Sequence, residues 1–424
     1  MKIIYIFSFL SYVSAQFALP TFQAIHNSQN TSPSSANGDP VIANGYMHSL
    51  AILENGTVKA WGRNQYGQLG QGNNTTIGDN SNEMGDNLAA VDLGSGRTAK
   101  AIASGVYHSV AILDNGTVKA WGYNGHGQLG QGNTNNIGDN SSEMGDNLVA
   151  IDLGSGRTAT AIAAGYYHSV ALLDNGTVKA WGYNGYGQLG QGNTNNIGDN
   201  SSEMGDNLVA VDLGSGRTAT AVAAGLHSTA AILDNGTVKV WGYGTSGNLG
   251  QGNTNHIGRF SNEMGDNLAA VDLGTGRTAT AISASYQNTM VLLDNGTVKV
   301  WGEGGYGLNG QGNTNDIGDN SNEMGDNLAA VDLGSGRTAV GIFNGYRHCV
   351  ALLDNATVKA WGYNADGQLG QGNTNVIGDN SNEMGDNLAA VDLGSGRTAT
   401  EITAGIFHTS AVLDNGTVKA WGWN

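Results

Sequence analysis

Three kinds of residue recur at spacings that could do chemistry. The first is acidic. The stretch GDNSNEMGDN, Gly78 to Asn87, gathers Asp79, Ser81, Glu83 and Asp86, and close copies return every sixty residues. Oxygen donors at that density suit calcium, which takes six to eight of them, so Asp79, Glu83 and Asp86 are candidate ligands. The spacing is not that of an EF-hand, and Arg259 replaces the first Asp in one copy. Asx-turns are the alternative reading. The second kind is histidine, at 48, 108, 168, 348 and 408, with Ser228 and Asn288 in the two remaining places. A ring of imidazoles invites a metal, yet equivalent residues of different units lie far apart except near an axis. A hydrogen-bonding fixture inside each unit is the other expectation. The third kind is tyrosine with arginine, the residues that anchor interfaces. The lone Cys349 reads as a small buried apolar group. No G-x-S-x-G, Walker loop or C-x-x-C occurs, and GQLGQG has no helix after it to cradle a phosphate. The chain reads as a non-enzyme that needs no cofactor unless calcium binds.

The elements that position these residues follow from the repeat. Trp61, Trp121, Trp181, Trp241, Trp301, Trp361 and Trp421 are each sixty residues apart, and a fixed period of this size signals a propeller, solenoid or array. One unit reads as four short strands. They are the types Leu208 to Leu213, ATAVAAG ending at Gly225, Val170 to Asp174, and Thr177 to Trp181. Asn175-Gly176 between the last two predicts a two-residue type I′ hairpin. Asn355-Ala356 departs from it, with Ala at positive φ costing about 1 kcal/mol. No 3.6-residue apolar period persists. The fold expected is all-β, a seven-bladed β-propeller of four-stranded antiparallel blades with a sixty-residue period. The LAAVDL strand occurs only six times, so the first blade borrows a strand, for which Phe17 to Ile25 is the candidate.

WGYNGYGQLGQG at Trp181 to Gly192, preceded by GYYHSVALLDNGTVKAWG, resembles the regulator-of-chromosome-condensation repeat family. His168, Leu172, Asp174, Gly176, Trp181, Gly182, Asn184, Gly187, Gln188, Leu189, Gly190 and Gly192 carry the likeness, which spans residues 41–424. The resemblance implies a seven-bladed propeller. Its founding member exchanges nucleotide on a small GTPase and sits on chromatin. Other members are ubiquitin-ligase modules, membrane-associated scaffolds and secreted inhibitors of β-lactamases. This chain lacks a basic tail and carries the extra acidic segment, so no exchange-factor residues are carried over.

The first residues, MKIIYIFSFLSYVSAQ, read as a secretion signal ending at Ala15. Residues 16–40 form a Ser/Asn/Pro-containing lead-in, and the repeats fill 41–424. A secreted or extracellular chain follows. Its N-x-T sequons at Asn30, Asn55, Asn115, Asn175, Asn235, Asn295, Asn355 and Asn415 become glycosylation candidates in a eukaryotic host, although NGT is also plain turn chemistry. A net charge of −17 disfavours nucleic acid and anionic membranes.

In an antiparallel meander the GSGRT and DNGT turns share one side, and the remaining two loop sets share the other. The first side hardly varies. The second holds Tyr46, Tyr66, Tyr107, Tyr123, His126, Tyr166, Tyr167, Tyr183, Tyr186, Tyr243, Tyr286, Tyr306, Tyr346, Arg347, Tyr363 and Phe407. Arg259 and Phe260 mark the most divergent stretch, Leu226 to Asp316. These are the candidate partner-binding residues of a monomeric binding module for protein. Loop packing is the competing explanation of the rings. Carbohydrate binding is the alternative function, and nucleotide exchange a third by family analogy.

Overall fold

The computed structural model describes residues 41–423. The signal of residues 1–15, the lead-in of residues 16–40 with its candidate strand, and the sequon at Asn30 lie outside the described residues.

Each repeat forms three antiparallel strands. In the third repeat they are Ala159–Ala164, His168–Leu173 and Val178–Gly182, paired in that order. We term them inner, middle and outer. The same triplet gives seven sheets, numbered here by their inner strands: Val41–Asn44, Ala99–Ser104, Ala159–Ala164, Ala219–Ala224, Ala279–Ala284, Ala339–Asn344 and Ala399–Ala404. The middle strand HSVALL is buried at every position. It runs apolar without alternation because a neighbouring sheet covers each of its faces. One core cluster joins Val170, Leu172 and Val178 of the third sheet to Val222, Ala231 and Trp241 of the fourth. Trp181 is fully buried, and its indole N–H donates to Gln128 O at 3.0 Å, so its one polar atom is satisfied.

Three of the four expected strands form. The fourth, Leu208 to Leu213, is not a strand, and it lies beside the preceding sheet rather than opening its own. Val211 N–H donates to Val178 O at 2.8 Å, but no ladder continues from it. Other partners take its backbone: Lys239 Nζ donates to Leu213 O at 3.0 Å, and Gly265 N–H donates to Asp212 O at 3.1 Å. The seven-bladed propeller of four-stranded blades is therefore corrected to seven separate three-stranded sheets. Among the described residues none is joined to its neighbour by a strand ladder or curled shut on itself.

The hairpin also differs. Gly176 has φ +78°, whereas Asn175 does not enter the left-handed region. Gly176 N–H donates to Leu173 O, and Leu173 N–H to Thr177 O. This is a three-residue loop closed by a left-handed glycine, and Asn175 Oδ1 accepts from Thr177 N–H at 3.1 Å in place of a second positive φ. Ala356 holds φ +61° in the sixth copy, the strained place expected of it.

Adjacent sheets meet through side chains and single backbone bonds. Leu226 N–H donates to Ser285 O at 2.9 Å, and Tyr166 N–H to Leu226 O at 3.2 Å. Gly165 sits in this crowded inner zone, where a Cβ would fall 2.5 Å from Gly225 O. The seventh sheet lies against the first: Val412 packs with Ile42 and Ala51, and Asn44 Nδ2 donates to Ser410 Oγ at 3.1 Å.

Candidate functional site: a tyrosine-rich face

Two loop sets meet on one side of the molecule. One is the bend between inner and middle strands, the other the WGxN loop after each outer strand. Tyr183 N–H donates to Tyr167 O at 2.8 Å, which holds the two side by side. Their rings form a connected belt. Phe407 meets Tyr46 (6.1 Å between centroids), Tyr46 meets Tyr107 (5.7 Å), and Tyr107 meets Tyr66 (5.3 Å). Tyr66 meets Tyr123 (4.9 Å), Tyr123 meets Tyr167 (5.5 Å), and Tyr166 meets Tyr167 (4.0 Å). His126 lies 5.0 Å from Tyr183, Tyr186 lies 4.8 Å from Tyr243, and Tyr243 stacks on His256 at 4.8 Å. Beyond the fourth sheet the belt thins to Tyr286 on Tyr346 (4.6 Å) and Tyr306 against Tyr363 (4.9 Å), with Tyr346 reaching Phe407 (6.3 Å). Burial among other rings pushes the Tyr107 hydroxyl up to about 12, helped by Tyr166 and Tyr46. That hydroxyl stays a neutral hydrogen-bonding group. The inner bends of all seven sheets surround a small axial cavity of about 90 Å³, rimmed by Tyr46, Tyr166, Tyr286 and Tyr346.

Most of these rings are half-buried by one another, so packing and an open contact surface coexist in the same residues. Phe260 is 59% exposed at the rim, with the Arg259 guanidinium 5.7 Å from its ring. Residues absent from the sequence-based set join the face: His227 lies among Tyr166, Tyr183 and Tyr186, and Glu303 pairs with Arg347. Comparing positions sixty apart would have found them, since His227 stands where Tyr107 and Tyr167 stand, and Glu303 where Tyr123 and Tyr183 stand.

The recurring histidines lie directly under this face and bridge neighbouring sheets rather than sitting as fixtures within one. His108 Nε2 lies 3.0 Å from Ser169 Oγ, His168 Nε2 3.1 Å from Thr229 Oγ1, and His408 Nε2 3.3 Å from Ser49 Oγ. Ser169 donates onward to Gln128 O at 2.9 Å, so its oxygen accepts from the imidazole, which assigns the proton to Nε2. Burial holds His48, His108, His168 and His348 down to about 3 and His408 to about 4, so all are neutral. They are structural pins.

The acidic segment is likewise engaged within the protein. Glu83 accepts from Gly78 N–H and Asn80 N–H at 2.7 and 3.0 Å, and Asp79 accepts from Asn80 Nδ2 at 2.8 Å. Asp146, the counterpart of Asp86 one repeat on, accepts from Ser95 N–H and Oγ at 2.7 and 2.6 Å and ties two repeats together. Those bonds from Asn80 and then Gly78 pull the Glu83 carboxyl below its ordinary range. Among the described residues no three His, Cys, Asp or Glu are placed to hold a metal ion, and no helix is long and apolar enough to cross a membrane.

On the opposite side each GRT turn meets a DNGT turn. Arg157 Nη1 lies 3.2 Å from Asp174 Oδ1, and Arg217 3.2 Å from Asp234, both pairs exposed. The sequons at Asn55, Asn115, Asn175, Asn235, Asn295, Asn355 and Asn415 occupy the hairpins of this side, and each Asn Oδ1 accepts from the Thr N–H two residues on.

A model described as the Regulator of chromosome condensation (RCC1) repeat matches residues 42–68, 99–128, 159–188, 279–308 and 340–368, and a second of the same description matches 115–172. The chain is 30% identical over 388 residues to the Ultraviolet-B receptor UVR8 of Arabidopsis thaliana, covering 90% of this chain and 76% of that one. It is 29% identical over 277 residues to the human E3 ubiquitin-protein ligase HERC2, but spans only 5% of its length. Prp20p from Saccharomyces cerevisiae, solved in a study of its binding to Gsp1p and histones, superposes with a TM-score of 0.61 at 18% identity over 91% of this chain and 83% of that one. The same fold is seen in yeast RCC1 (Prp20) bound to Kap60, with a TM-score of 0.63 at 18% identity over 91% of this chain and 80% of that one. These matches correct the expectation of a secreted protein. Among its likenesses are an Ultraviolet-B receptor, an E3 ubiquitin-protein ligase and Prp20, described with Kap60, Gsp1p and histones.

Proposed function

The chain belongs to the regulator of chromosome condensation (RCC1) repeat family, and from that premise we propose that its tyrosine-rich face is the surface through which it binds partner proteins. The chain is a protein-interaction module, not an enzyme. The observation that carries the reading is the belt of ring contacts running from Phe407 through Tyr46, Tyr123 and Tyr183 to His256, all on the side where the repeats differ. Tyr rings bury large area at small entropic cost and keep a hydroxyl for hydrogen bonding. Partners named with relatives are proteins, which supports protein over sugar. The face loses its partners in the variant Tyr166→Ala, Tyr167→Ala, Tyr186→Ala, while Arg157→Ala with Asp174→Ala on the other side keeps them. Affinity capture with both variants at equal melting temperature decides; equal capture by the triple variant removes the proposal. A glycan array separates the carbohydrate reading. Nucleotide exchange is a second reading, favoured by the named pairing of Prp20p with Gsp1p. It predicts faster release of labelled guanine nucleotide from a small GTPase, and no acceleration removes it.

A further inference from the structure

The chain carries 18 Lys and Arg against 35 Asp and Glu, so an unpaired cation needs a reason. Setting aside Lys2, the lysine of each TVK strand and the arginine of each GRT turn, four cations stand outside the repeat pattern: Arg63, Lys100, Arg259 and Arg347. Lys100 donates to Asp114 O, and Arg63 to Gln65 and the Met47 sulfur. Among the described residues the Nε of Arg259 and the Nε of Arg347 are buried without a hydrogen-bond partner. Both lie over aromatic rings.

Arg347 sits where the fifth and sixth sheets meet. At other seams this place holds ring pairs, Tyr123 with Tyr167 or Tyr183 with His227. Here it holds Glu303 and Arg347, 3.9 Å apart, too long for a direct hydrogen bond. Glu303 Oε2 is also buried without a partner, and burial raises its carboxyl above the ordinary range although Arg347 opposes the rise. The guanidinium lies 5.3 Å from the Tyr306 ring and 5.4 Å from the Tyr346 ring. Tyr306 is itself held at φ +62°, in a loop where Leu308-Asn309 replaces the usual Gln-Leu, and it is 36% exposed. A strained, exposed ring beside an under-used guanidinium is the arrangement of a site prepared for something outside the chain.

Resting on the tyrosine face as a protein-binding surface, we propose that Arg347, flanked by Tyr306 and Tyr346, receives a carboxylate side chain from an acidic peptide segment of the partner, with Glu303 as its positioning residue. The planar fork of Arg matches a carboxylate in two parallel bonds, and the rings offer apolar contact to whatever flanks the acid. A polyphosphate is the poorer occupant. The chain carries −17 overall, and burial keeps His126, His227 and His256 of this face below the ordinary imidazole range, so no broad positive field exists.

The test is an array of acidic dodecapeptides, each spotted beside its Asp→Asn, Glu→Gln counterpart, probed with the full chain. The wild type binds the acidic member about tenfold more tightly than its amide twin. Arg347→Gln abolishes that preference, Arg347→Lys retains part of it, and Glu303→Gln weakens it. The triple tyrosine variant lowers binding to both members alike, which keeps failure of this site distinct from failure of the face. As a solution readout, the Arg347 Nε–H resonance shifts with acetyl-Phe-Asp-amide and not with acetyl-Phe-Asn-amide at about 10 mM. Equal binding of the twins, a preference that survives Arg347→Gln, or an unmoved Nε–H resonance overturns the proposal. So does self-association abolished by Arg347→Gln without any peptide preference, which would give the surface to a second copy.

Discussion

One side of the molecule repeats a single Arg–Asp contact from turn to turn; the other has no two seams alike. Arg97 with Asp114, Arg157 with Asp174 and Arg337 with Asp354 share one geometry, 3.1–3.2 Å and about a third exposed. On the tyrosine side the corresponding seams hold Tyr123–Tyr167, Tyr183–His227 and Glu303–Arg347. The two sides share strands and core, so their difference cannot come from folding requirements on the backbone. It comes from what the loops must touch. The sides also rest on different supports. Beneath the tyrosines lies the layer of neutral, inter-sheet histidines; on the other side the GSGRT turn is tied to the next repeat by Ser95 and Asp146 instead.

That contrast can be broken by acid. A histidine held at about 3 in the fold and near 6.5 when unfolded binds fewer protons folded than unfolded. Its contribution is fully present above pH about 6.5 and is lost as pH falls toward 3, at a cost of about 2 kcal/mol per histidine by pH 5. Chemical denaturation from pH 7.5 to 4.5 should show a steep loss of stability, and His168→Asn should flatten it; a pH-independent midpoint would contradict the burial. Trp181→Ala strikes the shared core and should cost about 3–5 kcal/mol without favouring either side. Ala356→Gly relieves the left-handed alanine and should stabilise by about 1 kcal/mol, read as a raised urea midpoint at unchanged slope. Arg157→Gln should move stability by at most about 0.5 kcal/mol, since exposed pairs contribute little. A larger loss would mean the uniform side bears more of the fold than its exposure implies.

Much of this was legible in the chain itself. The sixty-residue period, the strand types Val170 to Asp174 and Thr177 to Trp181, and the tyrosines confined to two loop sets follow from local pattern, and three of the four expected strands form. The fourth strand was not legible. LVAVDL has the right composition, but whether a segment pairs depends on which groups claim its backbone, and Lys239 and Gly265 come from other parts of the repeat. The hairpin was misread for a related reason: Asn175 uses its side chain to satisfy Thr177 N–H, and the dipeptide alone does not reveal that choice. The Arg347–Glu303 pair joins residues 44 apart in number across a sheet boundary, beyond what any single loop motif encodes.

Cys349 occupies the place held elsewhere by Ser109, Ser169 and Thr229, and its thiol donates to Leu308 O at 3.5 Å inside the boundary between the fifth and sixth sheets. Burial pushes the thiol far toward the protonated form, so a maleimide or disulfide reagent can reach it only when those sheets part. With one cysteine in 424 residues, the chain thus carries a native probe whose modification rate would time the breathing of the very junction that holds Arg347.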